Sequence, residues 1–271
     1  MKLKKLRKIY RVLFPIELSP YQIFINNLNA NKQIVNFEKV GNLYSLILQN
    51  GKKLYCRDQN HSDYSVFNQM FNLEEYSTVS SVLNLNKDLN SKESVLIDAG
   101  ANVGFATIYL SQKKAFDKIF CIEPAKSNFE ILRKNISSLN NSSNVMLLEN
   151  ALAARENESF QIENNFRDGK DWSITTTQSK NGEVKGITIN EIIKEFDLQE
   201  ITLLKIDIEG AERFIFEESA NLVFLERTKI IVIEIHDEFN IRKDIYKILK
   251  NNNFLLIESG EVTIAINKKF I

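Results

Sequence analysis

The segment Val95-Leu96-Ile97-Asp98-Ala99-Gly100-Ala101-Asn102-Val103-Gly104 constrains the fold more than any other stretch of the chain. An apolar run ends in a carboxylate and passes directly into a loop with two glycines, and Phe105 to Lys113 then reads as a helix. A strand covered on both faces is a near-continuous apolar run. Glycines in the loop permit positive φ and close approach of the backbone to a ligand. The helix that follows presents free N–H groups at its start. The pattern recurs downstream. Lys118 to Glu123, Val145 to Leu148, Ile201 to Asp207 and Lys229 to Ile235 read as strands. Ser127 to Leu139, with Ser127 as N-cap, a segment from Thr188, one from about Ala211, and Arg242 to Lys250 read as helices. Thr188-Ile189-Asn190-Glu191 fits a capping box. Leu255 to Ile257 and Val262 to Ile266 flank Ser259-Gly260 as a closing hairpin. Strands alternating with helices imply a Rossmann-like α/β fold with a parallel sheet, and ligands in such sheets bind at the carboxyl ends of the strands.

The pattern begins near residue 86, so the sequence divides into an extension over 1–85 and an α/β domain over 86–271. In the extension, Ile34 to Phe37, Leu43 to Leu48 and Lys53 to Cys56 are β-prone runs. Asn50-Gly51 signals a hairpin with a type I′ turn between the last two. Residues 64–85 read as helical. The small sheet is expected either to cap the acceptor pocket or to make a dimer contact. At the start, Lys2, Lys4, Lys5, Arg7, Lys8 and Arg11 interleave with apolar residues, without the continuous apolar core of a signal peptide. Such a helix either packs on the domain with its charges in water, the commoner case, or lies on an anionic membrane surface.

Composition excludes several classes. Lys plus Arg and Asp plus Glu both number 35, which argues against bulk electrostatic binding to nucleic acid. The two cysteines, Cys56 and Cys121, make no disulfide framework and point to a reducing, cytoplasmic setting. Two histidines and two cysteines provide no zinc-site spacing. No stretch is long and apolar enough to span a bilayer. With prolines only at 15, 20 and 124, the Asn/Asp-Pro-Pro-aromatic motif of base N-methylation and the Pro-Cys nucleophile of cytosine C5 chemistry are both absent.

The glycine loop is paired with a second signal. Glu123 ends the next strand, 19 residues beyond Gly104, and Pro124 follows it. A carboxylate there accepts hydrogen bonds from ribose hydroxyls, so the two together describe a nucleoside pocket. A dinucleotide site would prefer G-x-G-x-x-G, and Asn102 stands at its middle glycine, so the loop suits a ligand without a pyrophosphate.

These residues, with Ile122-Glu123-Pro124, Asn150-Ala151-Leu152 and Leu204-Lys205-Ile206-Asp207-Ile208-Glu209-Gly210-Ala211-Glu212, resemble the FkbM family of S-adenosylmethionine-dependent methyltransferases from about Tyr64 onward. The resemblance implies a seven-stranded sheet whose last strand is antiparallel. It implies O-methylation of a hydroxyl on a sugar, a glycan or a secondary metabolite. It places Asp98 and the Gly100, Asn102, Gly104 loop at the methionine portion of the cofactor, and Glu123 with Pro124 at the ribose. Asn150 and Ala151 fall beside the adenine, and Asp207 near the methyl group. The rivals are a nucleotide-dependent oxidoreductase or epimerase, and a binding module on the same fold without turnover.

Three residues carry the expected chemistry. Period-two alternation puts Lys205 and Asp207 on one face of a buried strand. A buried lysine needs a partner, such as Glu234 on a neighbouring strand, unless it orients the acceptor. His236 follows a strand at the ligand edge and is suited to accept the acceptor's proton, with Asp207, Glu209 and Glu234 as competing bases. In-line methyl transfer requires no metal, although Asp207, Glu209 and Glu234 offer oxygens that suit Mg²⁺. Ser173 to Thr177, beside Trp172, read either as an acceptor-binding loop or as a solvent loop.

Overall fold

A computed structural model describes residues 17–85, 93–139, 142–163, 175–179, 181–217 and 219–270. The basic segment at the start, Trp172 and Ser173 lie outside these residues. After α1 (Pro20–Ala30), whose Ser19 and Gln22 form a capping box, comes an antiparallel meander of β1 (Ile34–Val40), β2 (Leu43–Leu48) and β3 (Lys53–Cys56). The hairpin between β2 and β3 forms where Asn50-Gly51 predicts it. Only Gly51 takes positive φ there, at 80°, so the turn is not type I′. The connection is longer, closed by Gly51 N–H to Leu48 O at 2.9 Å and Leu48 N–H to Lys52 O at 2.9 Å.

The expected single helix over 64–85 is two, α2 (Asp63–Phe71) and α3 (Ser77–Leu85). Glu74 breaks it with φ 49°, which brings Tyr76 into the core at 4% exposure. The α/β part then runs through β4 (Val95–Ala99), α4 (Phe105–Lys113), β5 (Lys118–Ile122), α5 (Lys126–Ile136) and β6 (Val145–Leu148). After β11 (Ile201–Ile206) come α7 (Glu212–Ile215), β12 (Thr228–Glu234), α8 (Arg242–Asn251), β13 (Phe254–Ser259) and β14 (Val262–Asn267). Ser127 is not the N-cap of α5. Ala125 takes that place, its N–H held by the Glu123 carboxylate at 3.0 Å, so the helix starts earlier.

The seven strands lie in the order β13-β14-β12-β11-β4-β5-β6, with β14 antiparallel to both of its neighbours and the rest parallel. The Rossmann-like sheet and its reversed last strand are therefore as the sequence implied. Strand β4 is central and buried throughout, as is β11. Alternate residues feed two cores. Val95, Ile97, Leu204 and Ile206 enter one, whereas Leu96, Leu203 and Val232 enter the other.

The second core also contains the extension: Phe24, Leu46, Leu54, Phe67 and Phe71 pack into it with Phe105 and Tyr109 of α4. Ring centroids of Phe67 and Phe105 lie 5.6 Å apart, edge to face, an arrangement that adds about 0.5–1.5 kcal/mol to the burial. A polar tie reinforces this seam. Asn135 of α5 exchanges two hydrogen bonds with the Tyr55 backbone, at 2.7 and 3.0 Å, and also donates to Val103 O in the glycine loop at 2.8 Å.

After β6 comes a second sheet, which the sequence pattern does not anticipate: β7 (Ala151–Leu152), β8 (Ser159–Glu163), β9 (Thr175–Gln178) and β10 (Val184–Ile187), in the order β7-β10-β8-β9. Thr175, Thr176 and Thr177 lie in β9, not in a loop. The final β10 leads into α6 (Ile189–Glu195), capped by Thr188 and Glu191 in the predicted box. No helix among the described residues is long and apolar enough to cross a membrane.

Candidate active site

The glycine loop owes its shape to its neighbours. Gly100 has φ 80°, and a Cβ there would lie 1.7 Å from the carbonyl oxygen of Asp207. The end of β11 is thus packed against the loop, and Asp207 N–H bonds Ala99 O at 3.1 Å. No residue larger than glycine fits without moving backbone. Asn102 is also left-handed, with φ 49°, a conformation that asparagine tolerates better than most residues. Its Oδ1 is buried without a hydrogen-bond partner.

Glu123 follows β5 and is 5% exposed. Its Oε2 accepts the Asn102 N–H at 2.9 Å, and its Oε1 accepts the Ala125 N–H at 3.0 Å and Asn128 Nδ2 at 3.3 Å. A carboxylate has about four acceptor positions, so three bonds leave room for one more donor at Oε2. Burial pushes its pKa up to about 7, against the opposing effect of those bonds. Asn128 in turn accepts from Arg57 Nη2 at 2.9 Å, and Arg57 forms a buried ion pair with Asp63. The extension therefore reaches the carboxylate through Asp63, Arg57 and Asn128.

Lys205 does not pair with Glu234. Its Nζ lies 3.2 Å from Asp98 Oδ1 and 3.4 Å from Asp207 Oδ2, and donates to Gly100 O at 2.7 Å. Strand register explains this, because β11 lies beside β4 with Lys205 opposite Asp98. The other Asp98 oxygen accepts from Thr107 Oγ1. Burial alone would lower the Lys205 pKa, but Asp98 and Asp207 outweigh it and hold the ammonium charged well above its usual range. Lysine therefore fastens the end of β4, the glycine loop and the end of β11 together.

His236 follows β12 and its side chain is fully buried. Its Nδ1 meets Glu212 Oε1 at 3.0 Å, and its Nε2 faces Glu209 Oε2 at 3.2 Å and Glu234 Oε1 at 3.8 Å. Burial would lower its pKa, but Glu209 and Glu212 raise it to about 11. The imidazole therefore carries its proton at neutral pH, which weighs against the role of free base expected from its position. Glu234 is raised to about 8 by burial and by Asp207.

A cavity of about 380 Å³ opens along the carboxyl ends of the strands, within the size range of small-molecule sites. Gly100, Asn102, Glu123, Pro124, Lys205 and Asp207 line it, as does Ala151. Of the other residues singled out from the sequence, Asp98 and Gly104 stand behind the wall. Asp98 is held by Lys205 and Thr107, and Gly104 caps α4. Asn150 turns away to bond Lys185 O at 3.1 Å. His236 sits behind Glu209. No residue of 33–57 reaches the cavity. The opposite wall comes from the extension, through Val66, Gln69, Met70 and Tyr76, and from Glu261 in the last hairpin. These were missed, because α2 carries no motif and its placement depends on aromatic packing across the core.

The family model described as the methyltransferase FkbM domain matches residues 98–256. Methyltransferase sdnD of Sordaria araneosa is 24% identical over 192 residues, which are 59% of this chain and 73% of that protein. Methyltransferase 1 of Beauveria bassiana (strain ARSEF 2860) is 26% identical over 142 residues, 44% of this chain and 56% of that protein. The crystallised methyltransferase FkbM of Methylobacillus flagellatus KT is 16% identical, with 64% of this chain and 43% of that one covered and a TM-score of 0.38. The chain thus spans little more than half of the Beauveria protein and less than half of the crystallised one.

Proposed function

Because the chain belongs to the FkbM methyltransferase family, we propose that it transfers a methyl group from S-adenosylmethionine to a hydroxyl of a sugar, a glycan or a secondary metabolite. One observation carries the reading. One cavity is lined both by the glycine loop and Glu123 and by Asp207 and Glu234. A nucleoside and a reacting centre would share that space.

The residues fit the cofactor. Asn102 Oδ1 is a buried acceptor without a donor, and it lines the cavity where an amino group would be welcome. Glu123 Oε2 keeps capacity for a ribose hydroxyl, and Pro124 and Ala151 provide apolar wall for a base. S-adenosylmethionine supplies an electrophilic methyl group on a sulfonium centre. The Asp207 carboxylate, held in place by Lys205, puts negative charge beside such a centre. Lys205 itself is fully engaged and acts as a positioning residue.

The acceptor must lose its hydroxyl proton as the new carbon–oxygen bond forms and the carbon–sulfur bond breaks. Glu234 lines the cavity and titrates at about 8, close enough to neutral pH to exchange a proton; it is the base we assign, with His236 3.8 Å from it. A positioned base contributes on the order of 10²–10⁴ in rate, with alignment of the reactants supplying the rest.

Calorimetry with S-adenosylhomocysteine tests the reading, with NAD⁺ as control. Micromolar binding that Glu123→Ala weakens at least tenfold, about 1.4 kcal/mol, supports it. Absence of binding at millimolar ligand, or preference for NAD⁺, removes it.

A further inference from the structure

The carboxyl ends of β11 and β12 bring three unlike ligand groups together. One ligand atom each from Asp207, Glu209 and His236 lie within 4.8 Å of one another. Asp207 and Glu209 stand on one turn, and Glu209 is held there in a left-handed conformation with φ 53°, followed by Gly210 at φ 90°. Such strain at a polar residue persists only when its surroundings enforce it. The next residue is closely packed, because a Cβ on Gly210 would meet the Phe239 ring at 2.1 Å. The turn is thereby aimed at the adjacent strand end that carries His236.

The histidine is arranged as a ligand would be. Glu212 is fully buried and takes the Nδ1 side of the ring at 3.0 Å. A carboxylate there fixes the tautomer that leaves Nε2 as the donor atom. Nε2 is buried and faces Glu209 Oε2 at 3.2 Å, and in binding an ion the ring gives up its Nε2 proton to solvent so that the ion takes the proton's place between the two groups. Donor atoms about 2.1 Å from a common ion stand about 3–4 Å apart. The three groups therefore need only side-chain adjustment to meet one.

We propose that Asp207, Glu209 and His236 form a binding site for a first-row divalent transition-metal cation, oriented by Glu212. One imidazole with two carboxylates suits Mn²⁺, Fe²⁺ or Zn²⁺ better than Mg²⁺ or Ca²⁺, which take oxygen ligands alone. Asp207 and Glu209 line the cavity, so the ion's remaining positions open toward bound ligand. If methyl transfer is the activity, as proposed above, those positions would receive the acceptor's oxygen. The site itself does not depend on that reading.

The test uses the full chain after chelation, without methyl donor. Titration with Mn²⁺, followed by electron paramagnetic resonance, should show one ion bound per chain at micromolar concentration. Pulsed measurements should show nitrogen modulation from a coordinated imidazole. His236→Gln should abolish that modulation and weaken binding at least tenfold. Glu212→Gln should retain the modulation and weaken binding roughly 10–100-fold. Circular dichroism establishes that both variants are folded, and the nitrogen signal of the unmodified protein needs no variant. No binding at millimolar Mn²⁺ or Zn²⁺, or binding without a nitrogen signal, would overturn the proposal. Calorimetry of S-adenosylhomocysteine on the chelated protein reads the methyl-donor site separately, so either site can fail alone.

Discussion

Replacing Lys205 by Met is the sharpest perturbation the site offers. The ammonium lies 3.2 Å from Asp98 and 3.4 Å from Asp207, and it is 3% exposed. At an effective dielectric of about 20, each attraction amounts to about 5 kcal/mol. Taking the ions out of water cancels much of that gain. What the substitution leaves is asymmetric. Asp98, fully buried, loses its cation and keeps only the Thr107 hydroxyl, and Gly100 O loses its donor. Removing one member of a buried pair costs about 3–5 kcal/mol. For a chain of this size, that is a fall in Tm on the order of 10 °C. Asp98→Asn in the same chain removes the stranded charge, so the double variant should be about 1–3 kcal/mol more stable than the two single losses added together. Urea denaturation of the four proteins measures this cycle. If Lys205→Met costs under 1 kcal/mol, or the losses add, the lysine is not the fastener described above.

Gly100→Ala combines left-handed strain of about 1–2 kcal/mol with overpacking of about 1–3 kcal/mol. It should lower stability by about 2–5 kcal/mol, and an unchanged denaturation midpoint would contradict the 1.7 Å approach to Asp207 O. Asn128→Ala removes the link between Arg57 and Glu123. A cost of about 1–3 kcal/mol should appear in thermal melts, together with weaker S-adenosylhomocysteine binding; affinity left intact would mean the link does not hold Glu123. Burial raises Glu123 from 4.5 to about 7, so the folded protein prefers its protonated form. The associated stability is complete below about 4.5 and is lost as pH rises through about 7. A ligand that donates to the carboxylate favours the ionised form, so its affinity should rise across that window. Glu123→Gln should flatten both profiles, and calorimetry across pH reads the second. Glu234→Gln should cut kcat by about 10²–10⁴ with little change in KM; a small effect would move the base elsewhere.

Much of the fold was legible because its strands are apolar runs bounded by glycine, proline or carboxylate. Strands β4, β5, β6, β11 and β12 and the closing hairpin lie within a residue or two of their expected limits; for β4, β11 and most of β5 and β12, burial leaves little choice of residue. The glycine loop and Glu123 were legible for a related reason: close approach restricts the residue types that fit. Other features depend on contacts between distant segments. The Lys205 partner is Asp98, because register places β4 beside β11, and no local pattern reveals register between parallel strands. Strand β9 is short and polar and falls in a stretch that reads as a loop, because its pairing with β8 rather than any apolar pattern makes it a strand. Glu74 breaks the helix over 64–85 although nothing at that position forbids helix. Tyr76, whose burial the break permits, gives the reason only once the core is seen.

The Asn135 tie and the aromatic seam between α2 and α4 bear on how such a chain can change. A segment that merely decorated the sheet could be exchanged among relatives like a replaceable part. Here residues 17–85 provide one wall of the cavity and share its core, so a graft would have to bring matching rings for Phe105 and Tyr109 and a partner for Asn135. Under the proposed function, new acceptor preferences would be reached more readily by substitution at Val66, Gln69 and Met70, which line the cavity, than by swapping the segment whole, and variation among relatives should concentrate at those positions while Phe67 and Phe71 behind them change little.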